Sequence, residues 1–340
     1  MTEAQKPGND QYIDYPECKG KTVVFEEINI QWKKGNWSFN HPERGPILID
    51  TYSIWNPSHW NEIAERLING QRCAMYIMGN FGVAEVRESP EWQKQKKNED
   101  EMFDKIKKRP RALNFVAFVD PEDIIDFIDV DRLHRGFKQF RWPGERLKSY
   151  VGPQHNVFPV RDNETVDEGL IRKEDNTIAC FWIPGHFGFE GIANTMRKKL
   201  KHGIFGGGSL NIHGQEPCYT RQELFWELTN QPDWQAGIDF ILFDELAEEA
   251  GIGRSQTMVS FSGEAPQLLR IGSLFPDTIS VKTGHQVDFS EIDVKTGKVK
   301  LASSLTPYDT PSNLASDAKV GLVLERINRY KKWYLKYIKN

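Results

Sequence analysis

Three consecutive glycines, Gly206 to Gly208, followed by Ser209-Leu210-Asn211, constrain this chain more than any other stretch. Glycine lets backbone approach a neighbouring group closely. Residues two apart on an extended chain point to one side, so Ser209 and Asn211 would face a single ligand. About a hundred residues earlier, Lys107-Lys108-Arg109-Pro110 repeats that spacing. Pro110 biases Arg109 toward an extended conformation. Lys107 and Arg109 then offer an ammonium and a planar guanidinium to the same anion. Alone, a basic run is an ordinary solvated surface and a glycine run an ordinary turn. Together they read as a nucleotide site.

Composition narrows the class. At 340 residues the chain can bury one large core or two modest ones. A net charge of −4 gives no global pull toward nucleic acid. RNA contact would fall to a local patch, Lys105, Lys107, Lys108, Arg109 and Arg111. The cysteines Cys18, Cys73, Cys180 and Cys218 are scattered without a Cys-x-x-Cys pair. They read as reduced thiols of a cytoplasmic protein, not as a zinc site. No apolar run reaches the roughly eighteen residues of a membrane helix, and the polar N-terminus is unlike a signal peptide.

The pattern divides the chain into an N-terminal extension (1–54), a central domain (55–280) and a C-terminal extension (281–340). Residues 1–20 read as a loose tail, and 22–25 with 47–49 as a strand pair. Ser58 is expected to cap a helix with Trp60, Ile63, Ala64, Leu67 and Ile68 on its buried side, stopped by Gly70. A strand follows at 73–78, then a solvated helix at 91–109 and short helices at 123–127 and 131–136. Residues 157–175 read as a polar loop, 188–202 as a helix, and 221–229 as a helix capped by Thr220. Residues 287–301 suggest a hairpin around Lys295-Thr296-Gly297, and 305–316 a linker. The last 24 residues form an amphipathic helix with Val323, Ile327, Tyr330, Tyr334 and Tyr337 on one side and a basic opposite face. It is expected to dock on the core, an RNA or subunit contact being the alternative.

Six segments in order resemble the YrdC-type domain, the catalytic unit of L-threonylcarbamoyl-AMP synthases. They are 73–89, KKRPRALNFVAFVDPEDI (107–124), Arg141-Trp142-Pro143-Gly144, TIACFWIPGHF (177–187), GGGSLNIHGQEP (206–217) and 255–274 with Leu269-Arg270-Ile271-Gly272. The resemblance implies a three-layer α/β domain with a large, twisted, mixed sheet and a central nucleotide cleft. It implies condensation of ATP, bicarbonate and an amino acid into a carbamoyl-type adenylate, with ATP accompanied by Mg²⁺ and no resident metal site. Lys107 and Arg109 would hold phosphates and serve catalysis, Ser209 and Asn211 would bind ATP, and Arg270 would sit against the nucleotide.

The substrate side departs from the family. Ile77, beside Met78, stands where a threonine hydroxyl is expected, and Trp182 where an arginine would meet the substrate carboxylate. Gly208-Ser209, after Gly207, stands for the family's Thr-Ser and Gln256-Thr257 for its Ser-Thr pair, and His186 completes the expected pocket. A pocket edged by Ile77, Met78 and Trp182 leaves a threonine hydroxyl and carboxylate without partners, at about 1–3 kcal/mol for each unmet group. The expectation is an adenylate-forming enzyme whose amine or carbamoyl donor is not threonine. Alternatives are an ordinary threonylcarbamoyl-AMP synthase of tRNA modification, and a non-catalytic module binding a nucleotide or double-stranded RNA.

Overall fold

The structure, a computed structural model, describes residues 22–41, 45–94, 108, 116–133, 152–161, 166–212, 215–263, 265–274, 279, 300–301 and 310–337. Its frame is one mixed sheet. In chain order the strands are β1 (Thr22–Phe25), β2 (Ile28–Gln31), β3 (Gly35–His41), β4 (Gly45–Ser53), β5 (Cys73–Ile77), β6 (Asn80–Glu85), β7 (Val116–Phe118) and β8 (His155–Pro159). They continue with β9 (Ile171–Arg172), β10 (Thr177–Phe181), β11 (Phe205–Ser209), β12 (Phe240–Phe243), β13 (Met258–Ser260), β14 (Gln267–Ile271) and β15 (Lys300–Leu301). The main sheet runs β15-β14-β13-β8-β10-β7-β11-β6-β5-β12-β4-β3, with β9 added on β10, while β1 and β2 pair separately. Strands β4, β12 and β5 are parallel, and β5, β6, β11 and β7 alternate antiparallel. This is the mixed α/β sheet expected from the sequence.

Several local expectations change. Residues 22–25 do not pair with 47–49, because Glu26 and Glu27 both take positive φ (47° and 68°) and turn β1 back onto β2. Residues 47–49 lie in β4, between β3 and β12, so the segment before residue 55 supplies two strands of the main sheet. Ser58 does not cap the first long helix. It lies in a 3-10 turn capped by Asn56, and its hydroxyl donates to Asn56 Oδ1 at 2.7 Å. The polar-loop reading of 157–175 fails at its start, where Val157 and Phe158 are buried in β8 between β10 and β13.

The helices follow the apolar spacing. Helix α1 (Trp60–Ile68) buries Ile63, Ala64, Leu67 and Ile68, and Gly70 turns the chain away at φ 82°. Helix α2 (Phe187–Arg197) stops short of residue 202, and Gly203 then packs against Ala193, whose carbonyl oxygen leaves no room for a Cβ. Helix α3 (Arg221–Asn230) carries the expected Thr220 cap as a full capping box with Glu223. Helix α4 (Glu245–Glu248) follows β12. Helix α5 (Thr310–Tyr337) includes residues read as linker, and Val320, Val323, Ile327 and Tyr330 are buried on the core. Tyr330 stacks on Phe187 at 5.7 Å and donates its hydroxyl to the Trp55 carbonyl. Of the 287–301 hairpin only Lys300 and Leu301 are described; the 1–20 tail, most of 91–109 and 134–136 lie outside the described residues. Among the described residues no helix is long and apolar enough to cross a membrane.

Candidate functional site

Strand register gathers most of the expected residues on one face. Directly opposed residues share a face, as do residues two apart along a strand. Ile77 opposes Asn80, Gly82 opposes Ser209, Phe205 opposes Phe118, Phe118 opposes Phe181, and Phe181 opposes His155. Met258 opposes both His155 and Arg270. One continuous face thus carries Ile77, Asn80, Gly82, Ser209, Gly207, Phe118, Phe181, His155 and Arg270. Five strands separate β13 from β5, yet Gln256 Nε2 donates to the Ile77 carbonyl and toward Asn80 Oδ1 at 3.4 Å. The sheet must curl for these to meet, which makes this face concave.

The glycines are built for close packing. A Cβ on Gly82 would lie 2.5 Å from Ile77 Cδ1, and one on Gly207 would lie 2.7 Å from the Phe118 ring. Gly79, at φ 141°, passes so near the Arg254 carbonyl that a Cβ would come within 2.3 Å of its oxygen. The run at 206–208 is therefore a central strand rather than a flexible cradle, and Gly207 lies under a phenyl ring instead of lining a pocket. Ser209 and Asn211 are half-buried at the strand's end. Ser209 Oγ donates to Asn211 Oδ1 at 2.7 Å, and Asn211 Nδ2 donates to the Ile212 and Gln215 carbonyls. Lys107 and Arg109 lie outside the described residues, as do Arg141-Trp142-Pro143-Gly144. Lys108 between the two is exposed.

Arg270 is the distinctive group. Its Nε and Nη2 donate to the Gln256 carbonyl at 3.0 and 2.8 Å, and Nη2 also donates to His155 Nδ1 at 3.2 Å. No carboxylate pairs with it among the described residues. Burial alone draws the guanidinium down to about 10. Several other arginines are neutralised: Arg72 and Arg87 share Glu85, Arg87 also meets Asp167, Arg66 meets Asp50, and Arg197 meets Asp123. His155 is 6 % exposed, and burial and the Arg270 charge both pull its pKa well below the ordinary value. Its Nε2 has no hydrogen-bond partner.

The remaining expected pocket residues divide. Gln256 joins Arg270 to the Ile77–Asn80 turn and so belongs to the cluster. Thr257 is committed to structure: its hydroxyl accepts from the Gly272 and Leu274 amides and donates to the Leu274 carbonyl. Met78 is buried, at φ 42° in the turn beside Gly79. Trp182 is buried with its indole N–H unpartnered, and it lines a small cavity with Phe118, Phe181, Phe189 and Phe205.

His186 is a correction. It is fully buried, stacks on Trp55 at 4.2 Å, donates from Nε2 to Asp244 at 3.1 Å, and accepts the Phe189 amide on Nδ1 as the cap of α2. Both of its ring nitrogens are engaged within the scaffold. His155, by contrast, is a site residue that the sequence does not single out. It lies just before a stretch that reads as loop, and only the register of β8 puts it beside Arg270.

No family model matches the chain, and no curated protein matches it in sequence. Among solved structures it is similar to P. abyssi Sua5, described as complexed with L-threonine. That match has 17 % identity and a TM-score of 0.47, over 68 % of this chain and 59 % of the other. It is similar to E. coli YciO at 12 % identity and TM-score 0.46, over 64 % of this chain and 90 % of the other. It is also similar to full-length HypF in a phosphate- and nucleotide-bound form at 13 % identity and TM-score 0.41, over 71 % of this chain and 26 % of the other. The chain thus spans less than two thirds of that Sua5 and about a quarter of that HypF.

Proposed function

We propose that this protein binds ATP on the concave face at Arg270 and forms a carbamoyl-type adenylate whose second substrate is not L-threonine. The observation that carries this reading is the Arg270 guanidinium, half-buried with a carbonyl and an imidazole for company and no carboxylate among the described residues. A partly desolvated cation without a counter-ion is stabilised by an anionic ligand. A triphosphate is such a ligand. In the proposed step a carbamate oxygen attacks the α-phosphorus, the bond from that phosphorus to the bridging oxygen breaks, and pyrophosphate leaves. Arg270 would offset the negative charge gathered on the phosphate oxygens. Lys107 and Arg109 retain the role that their motif implies. Magnesium is expected to arrive on the triphosphate oxygens.

The second half of the proposal rests on the apolar wall. Ile77, Phe118 and Phe181 share the face with Arg270 beside the polar Asn80 and Ser209, and the family resemblance puts Ile77 and Trp182 where a hydroxyl and an arginine would meet threonine. Pyrophosphate release from Mg-ATP with bicarbonate tests this, comparing L-threonine, carbamoyl phosphate and a panel of other amines. Turnover with a compound other than threonine is the expected result. Turnover restricted to threonine would restore ordinary threonylcarbamoyl-AMP synthesis. Nucleotide binding without turnover of any kind would leave a binding module.

A further inference from the structure

His155 holds Arg270 where a carboxylate would ordinarily stand. A guanidinium donates through five N–H groups and accepts nothing, so the 3.2 Å contact makes His155 Nδ1 an acceptor. The neutral imidazole therefore carries its proton on Nε2. Protonating Nδ1 would abolish the bond and set two cations side by side. A neutral acceptor fixes the guanidinium in place and leaves its charge uncompensated. The Gln256 carbonyl does the same from the other side, at 2.8 and 3.0 Å. Arg66, Arg72, Arg87 and Arg197, by contrast, are each bonded to a carboxylate.

We infer that His155 is a positioning residue that orients Arg270 toward an anionic phosphate group without neutralising it. The inference rests on the nucleotide reading above and adds to it the group that keeps the cation available. Phe181, in edge contact with the His155 ring at 5.1 Å, fixes the imidazole plane. The polar atoms that the structure places against the pair are the Gln256 carbonyl and the Arg270 guanidinium itself. No acid among the described residues pairs with either.

The test compares two nearly isosteric replacements that differ in charge. His155→Asn keeps a neutral acceptor close to the Nδ1 position, whereas His155→Asp places a carboxylate there. Binding of Mg-ATP and of pyrophosphate is measured by calorimetry on the full chain, with thermal unfolding of each variant alongside. H155N is expected to bind within about threefold of the wild type. H155D is expected to bind about 10- to 100-fold more weakly, the usual scale for one charge-assisted contact. H155D is also expected to melt no lower than H155N, because its new ion pair compensates the half-buried cation. A merely structural histidine would move affinity and melting together, which this pair of expectations forbids. Equal loss of affinity in both variants, or wild-type affinity in H155D, would overturn the inference while leaving the nucleotide reading intact. A wild type that binds neither probe would remove the nucleotide reading, and this inference with it.

Discussion

Two buried histidines in this molecule solve opposite problems. His186 lies in a saturated network: Asp244 accepts from its Nε2, from the Trp55 indole and from the Ala247 amide. Next to it Glu245 accepts the Gln31 amide and the Ser53 hydroxyl. His155 lies in an unsaturated one, with a cation on one nitrogen, no hydrogen-bond partner on the other and no acid paired with it among the described residues. Buried polar groups are normally all paired, and a network with every partner present is scaffold. The incomplete cluster is where a ligand has something to add. Burial of a histidine therefore does not by itself mark a site.

Asp244→Ala is expected to have the largest effect. It orphans three buried donors and should cost about 3–5 kcal/mol in urea denaturation. A loss below about 1 kcal/mol, the net worth of a single ordinary hydrogen bond, would mean the network is not scaffold. His186→Ala removes the Trp55 stack and the α2 cap, with an expected cost of about 2–4 kcal/mol. The folded fraction should bind Mg-ATP as the wild type does, and a selective loss of binding would put His186 in the site after all.

Glu245 separates the two networks through pH. Burial, aided by the Glu248 charge, pushes its carboxyl up to about 8 from 4.5. Between those values the folded state holds a proton that the unfolded state has released. The stability from this group is therefore full below about 4.5 and is lost as pH rises toward 8, by at most about 1.4 kcal/mol per pH unit. Glu245→Gln should flatten the unfolding free energy across that window; an unchanged slope would contradict the assignment. Arg270→Met should have the smallest effect on folding, about 1 kcal/mol in either direction, because it removes a half-buried charge that pairs with no carboxylate among the described residues. A loss of several kcal/mol there would make Arg270 a structural residue like Arg72.

The scaffold was more legible in the sequence than the site. Thr220 with Glu223 announces α3, and the spacing of Ile63, Ala64, Leu67 and Ile68 announces α1, because caps and helical periodicity are local signals. Strand β8 was hidden, since His155, Asn156 and the polar residues after Val160 mask a buried strand of five residues. Order along the chain pointed to Arg270 and Gln256, which do meet. It pointed equally to His186 and Gly207, which serve packing: motif position says where a residue stands but not whether its hydrogen bonds are already used. His155 gave no local signal at all. Its place beside Arg270 depends on the β8–β13–β14 register, a contact spanning 115 residues.

If the cluster lacking partners binds the nucleotide and the saturated one does not, a titration of Mg-ATP into the wild type, R270M and H186A will separate them. Measurable wild-type affinity is expected, with at least a tenfold loss in R270M despite near-normal stability and no change in the folded fraction of H186A. Wild-type affinity in R270M would contradict the assignment of the nucleotide to Arg270.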